Sequence, residues 1–250
     1  MKSLLAAAQF LTVIPIRIKR MTGKDLAGAA AFFPVVGLLL GMVLAAASLL
    51  LTAVQFGTFT SSVIIVVLLV LLTGGMHLDG LSDTCDALFS GKERAGMLNI
   101  MRDPHAGVMG VLALISVVML KVAFISAIGT AKETALVLMC VLGRSSMVVS
   151  LYAFPYARVE GKARAFIDGK KKSIAAAAML SALAVVFLIA GTAGTVLLGM
   201  TVLFAYMAGA LIKRKIGGIT GDTIGAVSEI TEVAVLFGIA ILERTVLWIG

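Results

Sequence analysis

Long, almost wholly apolar stretches recur along this chain, roughly at 27–53, 60–75, 108–128, 134–153, 173–191, 195–212 and 233–250, with short charged turns between them. A helix needs about 20 such residues to cross ~30 Å of hydrocarbon, and its backbone groups must all be paired inside the segment. The chain is therefore read as an all-α polytopic membrane helix bundle of about six or seven transmembrane helices, a single integral membrane domain over 1–250. Soluble usage is excluded, since 60% of the residues are hydrophobic and only 14% are charged. The stretch 60–75 is short for a span, and 233–250 carries Glu243 and Arg244, which leaves its crossing open. Leu4 to Ile16 is too short to span and reads as an interfacial or re-entrant helix. It ends in RIKR without a small-residue cleavage site, so no removed signal peptide is expected.

Charge orients the bundle. Every basic residue except Lys121, Lys132, Arg144 and Arg244 falls in 1–26, 76–107, 154–172 or 213–232, which alternate with nearly uncharged connections near 54–59, 129–133 and 192–194. Lys and Arg gather in cytoplasmic loops, so these four segments are expected on the cytoplasmic side of the cell membrane. The acids from Asp79 to Asp103 and from Asp222 to Glu232 lie in the same segments, and that face is expected to be the working one. The net charge of +8 sits in these loops and forms no patch on a soluble domain, so no nucleic acid partner is expected. Cys85 and Cys140 stand alone and signal neither a disulfide nor a metal site.

The first acid cluster is GGMHLDGLSDTCD, Gly74 to Asp86. Asp79, Asp83 and Asp86 stand at i, i+4 and i+7, on one face of a helix, with His77 close by. Like charges so placed repel unless a cation, an arginine or protons hold them together. Mg²⁺ takes one or two carboxylates together with substrate phosphate oxygens, so such a face suits a magnesium-phosphate site. The alternative is structural: the acids cap helix ends or pair with Arg94 and Arg102.

Two further segments add candidates. KRKIGGITGDTIGAVSEITE, Lys213 to Glu232, places Asp222, Glu229 and Glu232 nearly on one face of a helix begun near Thr220, and its glycines, Gly218 and Gly221 among them, would let backbone N–H groups approach a phosphate. NIMRDPHAGVMG, Asn99 to Gly110, contributes Arg102 as a partner for an acid or a phosphate, Asp103 as a supporting acid, and His105. Arg144 lies inside an apolar stretch and is expected to face inward, towards a carboxylate or a phosphate. Lys121 is read as snorkelling to the far interface without a functional role.

GGMHLDGLSDTCDALF, IMRDPHAGVMG and GGITGDTIGAVSEITE, in this order, with QFLTVIPI near the N-terminus, resemble the cobalamin synthase family, the adenosylcobinamide-GDP ribazoletransferases. The resemblance implies a magnesium-dependent membrane enzyme that joins adenosylcobinamide-GDP to alpha-ribazole or its 5'-phosphate, forming adenosylcobalamin or its phosphate and releasing GMP. On the matching positions the family's motifs fall on His77, Asp79, Asp83 and Asp86, on Arg102 and Asp103, and on Asp222, Glu229 and Glu232. The expectation built on this is that Asp79, Asp83 and Asp86, with Asp222 or Glu229, hold one or two Mg²⁺, that Arg102 and Arg144 hold phosphate oxygens, that Asp103 and Glu232 support them, and that the base is one of these acids or His77. Cys85, Pro104, His105 and Met109 depart from the family pattern. Partners are then these small molecules and membrane lipid, with a homo-oligomer left open. A CDP-alcohol phosphotransferase is the weaker enzyme reading, because an Ala-Arg pair does not follow the Asp-Gly here. A cation-coupled transporter is weaker again, because its acids would sit nearer the bilayer midplane.

Overall fold

The computed structural model describes residues 2–16, 22–161, 163–169 and 171–244. Arg17, Lys19, Arg20, Lys162 and Lys170, counted above among the loop charges, and the end of the expected span 233–250, lie outside the described residues. Among the described residues the protein is helical throughout, and the one bridge between extended segments joins Tyr156 to Ile219.

The chain opens with α1 (Lys2–Leu11), too short to span. Next come α2 (Gly23–Ala29), a 3₁₀ turn (Ala30–Phe32) and α3 (Phe33–Ala53), which together make one apolar span. α4 (Thr58–Thr73) and α5 (Met76–Leu88) follow, separated by Gly74 and Gly75. Both glycines adopt the left-handed conformation, φ 64° and 67°, which a side chain would resist. The chain bends there by 91°, so α4 and α5 count as a further crossing only if the bent pair is taken as one. This is why 60–75 reads as short. After α6 (Arg94–Ile100), α7 (Val108–Ala127) and α8 (Lys132–Ala153) cross, then the short α9 (Arg164–Asp168), α10 (Lys172–Ile216) and α11 (Gly221–Arg244). With five helices among the described residues long and apolar enough to cross, this is a multi-pass membrane protein.

α10 is not one straight rod. Ala190 and Gly191 leave helical geometry, Gly191 with φ 53°, and the α-carbon of Gly194 faces the Val186 carbonyl so closely that a Cβ would stand 2.2 Å from it. Eight residues of straight helix would separate the two by ~12 Å. The chain therefore turns back at Gly191, and its halves are the expected stretches 173–191 and 195–212.

The expected span 233–250 is corrected by α11, which begins at Gly221 and takes in Asp222, Glu229 and Glu232. The charged segment 213–232 is mostly helix, since the helix expected from near Thr220 starts at Gly221 and runs unbroken into the span. Small and apolar residues between the acids, Ile224 to Val227, are buried, and the charges of Glu229 and Glu232 are met by cations from other helices.

α8 is the central post, with residues buried all round it from Ala135 to Leu151. Its serines Ser145, Ser146 and Ser150 donate to carbonyls of the preceding turn, so they cost no unpaired hydroxyl. α3 crosses it at Gly37 and Gly41, where a Cβ would come within 2.5 Å of the α8 backbone at Cys140 and Val137. Glu243, near the end of α11, accepts hydrogen bonds from the N–H groups of Gly129 and Ala131 at 2.8 and 3.0 Å and ties down the turn between α7 and α8.

Candidate active site

At the opposite end of the bundle, α5 crosses the start of α11. Gly80 lies on the backbone of Asp222, and a Cβ there would meet the Asp222 carbonyl oxygen at 2.6 Å. One turn away, Gly225 faces the backbone of His77, with 3.1 Å left for its own Cβ. Two glycines thus permit the close crossing that brings the acid motif of α5 to that of α11 across more than 130 residues of sequence. Asp79 is exposed and Asp83 half-buried, and the charges of Asp79, Asp222 and Asp86 all bear on Asp83.

Arg158 stands against this group, its guanidinium 2.9 Å from the Asp222 carboxylate. The segment that carries it is held by backbone pairing: the Ala157 N–H donates to Ile219 at 2.8 Å, and the Ile219 N–H donates to Pro155 at 2.9 Å. Gly218 sits beneath this pairing, where a Cβ would stand 2.4 Å from the Pro155 carbonyl oxygen, so its absent side chain serves backbone packing. Gly221, at the N-terminus of α11, lines the cavity described next.

That cavity, of about 280 Å³, opens beside the acids. Its lining joins the polar His77, Asp79, Arg158 and Asp222 to the mutually packed rings of Phe10, Phe33 and Phe166. His77 is 3% exposed, and neither ring nitrogen has a hydrogen-bond partner in the protein. Tyr156 also lines the cavity, and burial pushes its phenol above the usual range.

Asp86 faces differently from Asp79 and Asp83. Its two oxygens accept from the backbone N–H groups of Gly107 and Gly110 at 2.7 and 2.8 Å, capping α7, and both glycines leave room that a Cβ would take from the carboxylate. Asp103 and His105 pair with each other at the exposed surface, and the backbone and ring hydrogen bonds from His105 hold the Asp103 carboxyl below its ordinary value. Arg102 is exposed and does not line the cavity.

Deeper in the bundle, α7, α8 and α11 meet in a second charged group. Lys121 donates to Glu229 at 2.7 Å and also to Glu232, which in turn accepts from Arg144. All four are buried, two cations facing two carboxylates. Gly143 makes the space, since a Cβ on it would strike the Glu232 side chain at 2.8 Å. Lys121 thus does not snorkel; it is 3% exposed and engaged. Arg144 does face a carboxylate, Glu232, and Glu229 and Glu232 stand apart from the aspartates with cations of their own.

Among the described residues, no three His, Cys, Asp or Glu side chains converge tightly enough to hold an ion unaided. The cavity side chains that the sequence reading did not single out are Arg158 and Tyr156, and the residue it misjudged is Lys121. Arg158 and Tyr156 were hidden in a basic loop like any other. Lys121, the one lysine deep in an apolar stretch, carried a signal that it needed partners.

Comparison with known proteins gives these features a common setting. The family model for cobalamin-5-phosphate synthase matches residues 3–240. An adenosylcobinamide-GDP ribazoletransferase of Desulforamulus reducens is 36% identical over 94% of this chain and 94% of its own length. One of Roseiflexus sp. is 39% identical over 92% of this chain and 86% of its own, and one of Escherichia coli K12 is 35% identical over 94% and 97%. No solved structure matches.

Proposed function

The chain belongs to the cobalamin-5-phosphate synthase family, and from that premise we propose how its site works. It is an adenosylcobinamide-GDP ribazoletransferase, which joins adenosylcobinamide-GDP to alpha-ribazole or its 5'-phosphate and releases GMP in the final assembly of cobalamin. The reaction is magnesium-dependent and is carried out on the cytoplasmic face, a reading that the Lys and Arg of the loops at the α5–α11 end support.

One observation carries the reading: the Gly80–Asp222 crossing gathers the two acid motifs beside Arg158 at the mouth of a cavity. A hydroxyl of the ribazole must approach the β-phosphorus in line while the phosphate of GMP departs, so the site has to align oxygens and balance charge on the diphosphate. Asp79, Asp83 and Asp222 would hold Mg²⁺. They fit it because carboxylates crowd together with one guanidinium for company, and because Mg²⁺ needs only one or two of them when substrate phosphate supplies the other ligands. When bound, the ion neutralises and orients the diphosphate oxygens.

The chain's own groups do the rest. Arg158 exchanges Asp222 for a phosphate oxygen, a bidentate partner that a guanidinium favours. His77, which lines the cavity, donates an imidazole N–H to the oxygen of the attacking hydroxyl and fixes its direction. Asp83, among like charges, takes the proton. Asp86 orders the 101–107 turn beside the site, and the buried Lys121–Glu229–Glu232–Arg144 group fixes α7, α8 and α11 against one another behind His77.

Purified protein in nanodiscs, given adenosylcobinamide-GDP, alpha-ribazole and Mg²⁺, is expected to release GMP only when all three are present. No release beside an active control enzyme sinks the reading. Release that persists in excess chelator sinks the magnesium part alone.

A further inference from the structure

Resting on the transferase reading, we propose that the 280 Å³ cavity seats the acceptor nucleoside, its apolar bicyclic base against Phe10, Phe33 and Phe166 and its ribose turned to His77 and Asp222. Three features of the cavity select this occupant.

The first is size. Small-molecule sites run from about 300 to 1,000 Å³, so this volume is at the small end and encloses a single nucleoside. A corrinoid with its side chains is several times larger and must remain outside. The adenosyl group stays outside with the corrinoid that carries it, which leaves alpha-ribazole or the guanosine of the GDP group to enter.

Wall chemistry decides between these two. Phe10 and Phe33 stack at 5.9 Å with 10° between planes, Phe166 meets Phe10 at 4.7 Å and Phe33 edge-on at 5.6 Å, and Met147 and Leu151 continue the same apolar surface. Guanine carries donors and acceptors along its edge, and each would lie unpaired against such a wall at a cost that water does not impose. The benzimidazole of alpha-ribazole is apolar over most of its perimeter and adds a further ring to an aromatic group that already prefers tilted and offset contacts.

Polarity across the cavity gives the orientation. The ribose hydroxyls need partners, and the polar wall offers His77, buried with both nitrogens unengaged, next to Asp79, Asp222 and Arg158. A base held on the phenylalanines therefore delivers the sugar to the side where the diphosphate is bound. The guanosine stays on the open side of the acids and leaves without crossing the cavity.

Two variants and one competition test this in nanodiscs. Phe166→Leu thins the aromatic wall, and Ala163→Leu, beside Gly221, fills the cavity. Each is expected to raise KM for alpha-ribazole about tenfold or more, the loss typical of a damaged apolar subsite, with KM for adenosylcobinamide-GDP within about twofold of wild type. A rise confined to the corrinoid substrate, or no rise in either, overturns the seat. If both variants fail to fold, wild-type protein decides: free benzimidazole is expected to inhibit competitively against alpha-ribazole and not against adenosylcobinamide-GDP, and the reverse pattern or no inhibition overturns the seat. A wild type that binds alpha-ribazole yet releases no GMP contradicts the transferase reading and leaves the seat standing.

Discussion

Gly80 of α5 lies directly on the backbone of Asp222 in α11, so that a single added methyl would come within 2.6 Å of the Asp222 carbonyl oxygen. The obstacle is backbone and cannot swing aside. Gly80→Ala is expected to force the helices apart, at a cost of about 1–3 kcal/mol in stability. Because the crossing sets the distance between the acid motifs, turnover is expected to fall about 100-fold, well beyond what the lost stability explains. Thermal unfolding in detergent beside GMP release checks both, and an unchanged kcat contradicts the role given to the crossing.

Asp83 and Asp86 lie three residues apart on α5 and are expected to behave differently, because Asp86 is turned to the start of α7. Asp83→Asn removes a charge from the diphosphate site and should lower kcat with a raised Mg²⁺ requirement. Asp86→Ala takes the acceptors from Gly107 and Gly110 and is expected to cost about 1 kcal/mol of stability, as lost helix caps do. Its Mg²⁺ requirement should stay near that of the wild type. Mg²⁺ titrations of GMP release separate the two, and matching shifts in both variants contradict the division.

The buried group of Lys121, Arg144, Glu229 and Glu232 is balanced in charge, which gives it a distinctive response to mutation. Lys121→Met leaves two carboxylates facing one cation and is expected to destabilise by about 3–5 kcal/mol. Adding Glu229→Leu restores the balance between Arg144 and Glu232, so the double variant should be more stable than Lys121→Met alone. Unfolding temperatures of the two in the same detergent decide, and a double variant that is the less stable contradicts the charge account.

How far the sequence could be read follows from where the determining contacts lie. The apolar runs from 27–53 to 195–212 find their counterparts in the helices because length and hydropathy are local properties, and the break at Gly191 falls beside the uncharged stretch 192–194. The all-helical membrane bundle and the family were legible in the same way, the second from three continuous motifs. The start of α11 was legible too, as a helix begun near Thr220, but its unbroken run into the span drawn from 233 was not. Charged residues argue against a membrane helix until their partners are known, and the partners of Glu229 and Glu232 are 108 and 88 positions away, at Lys121 and Arg144. Arg158 was equally hidden: one of several loop cations, it is singled out only by the pairing of 155–157 with Ile219, which aims it at Asp222.

The central claim is that Asp83 of α5 and Asp222 of α11, far apart in the chain, act on one bound diphosphate. A double-mutant cycle on kcat/KM, with Asp83→Asn, Asp222→Asn and the pair assayed by GMP release at saturating Mg²⁺, tests it most directly, because groups that act as a unit are strongly non-additive. The single variants are each expected to lose most of the activity, and the double variant to be little worse than either one. Losses that multiply, each aspartate acting as though the other were irrelevant, would contradict a shared site.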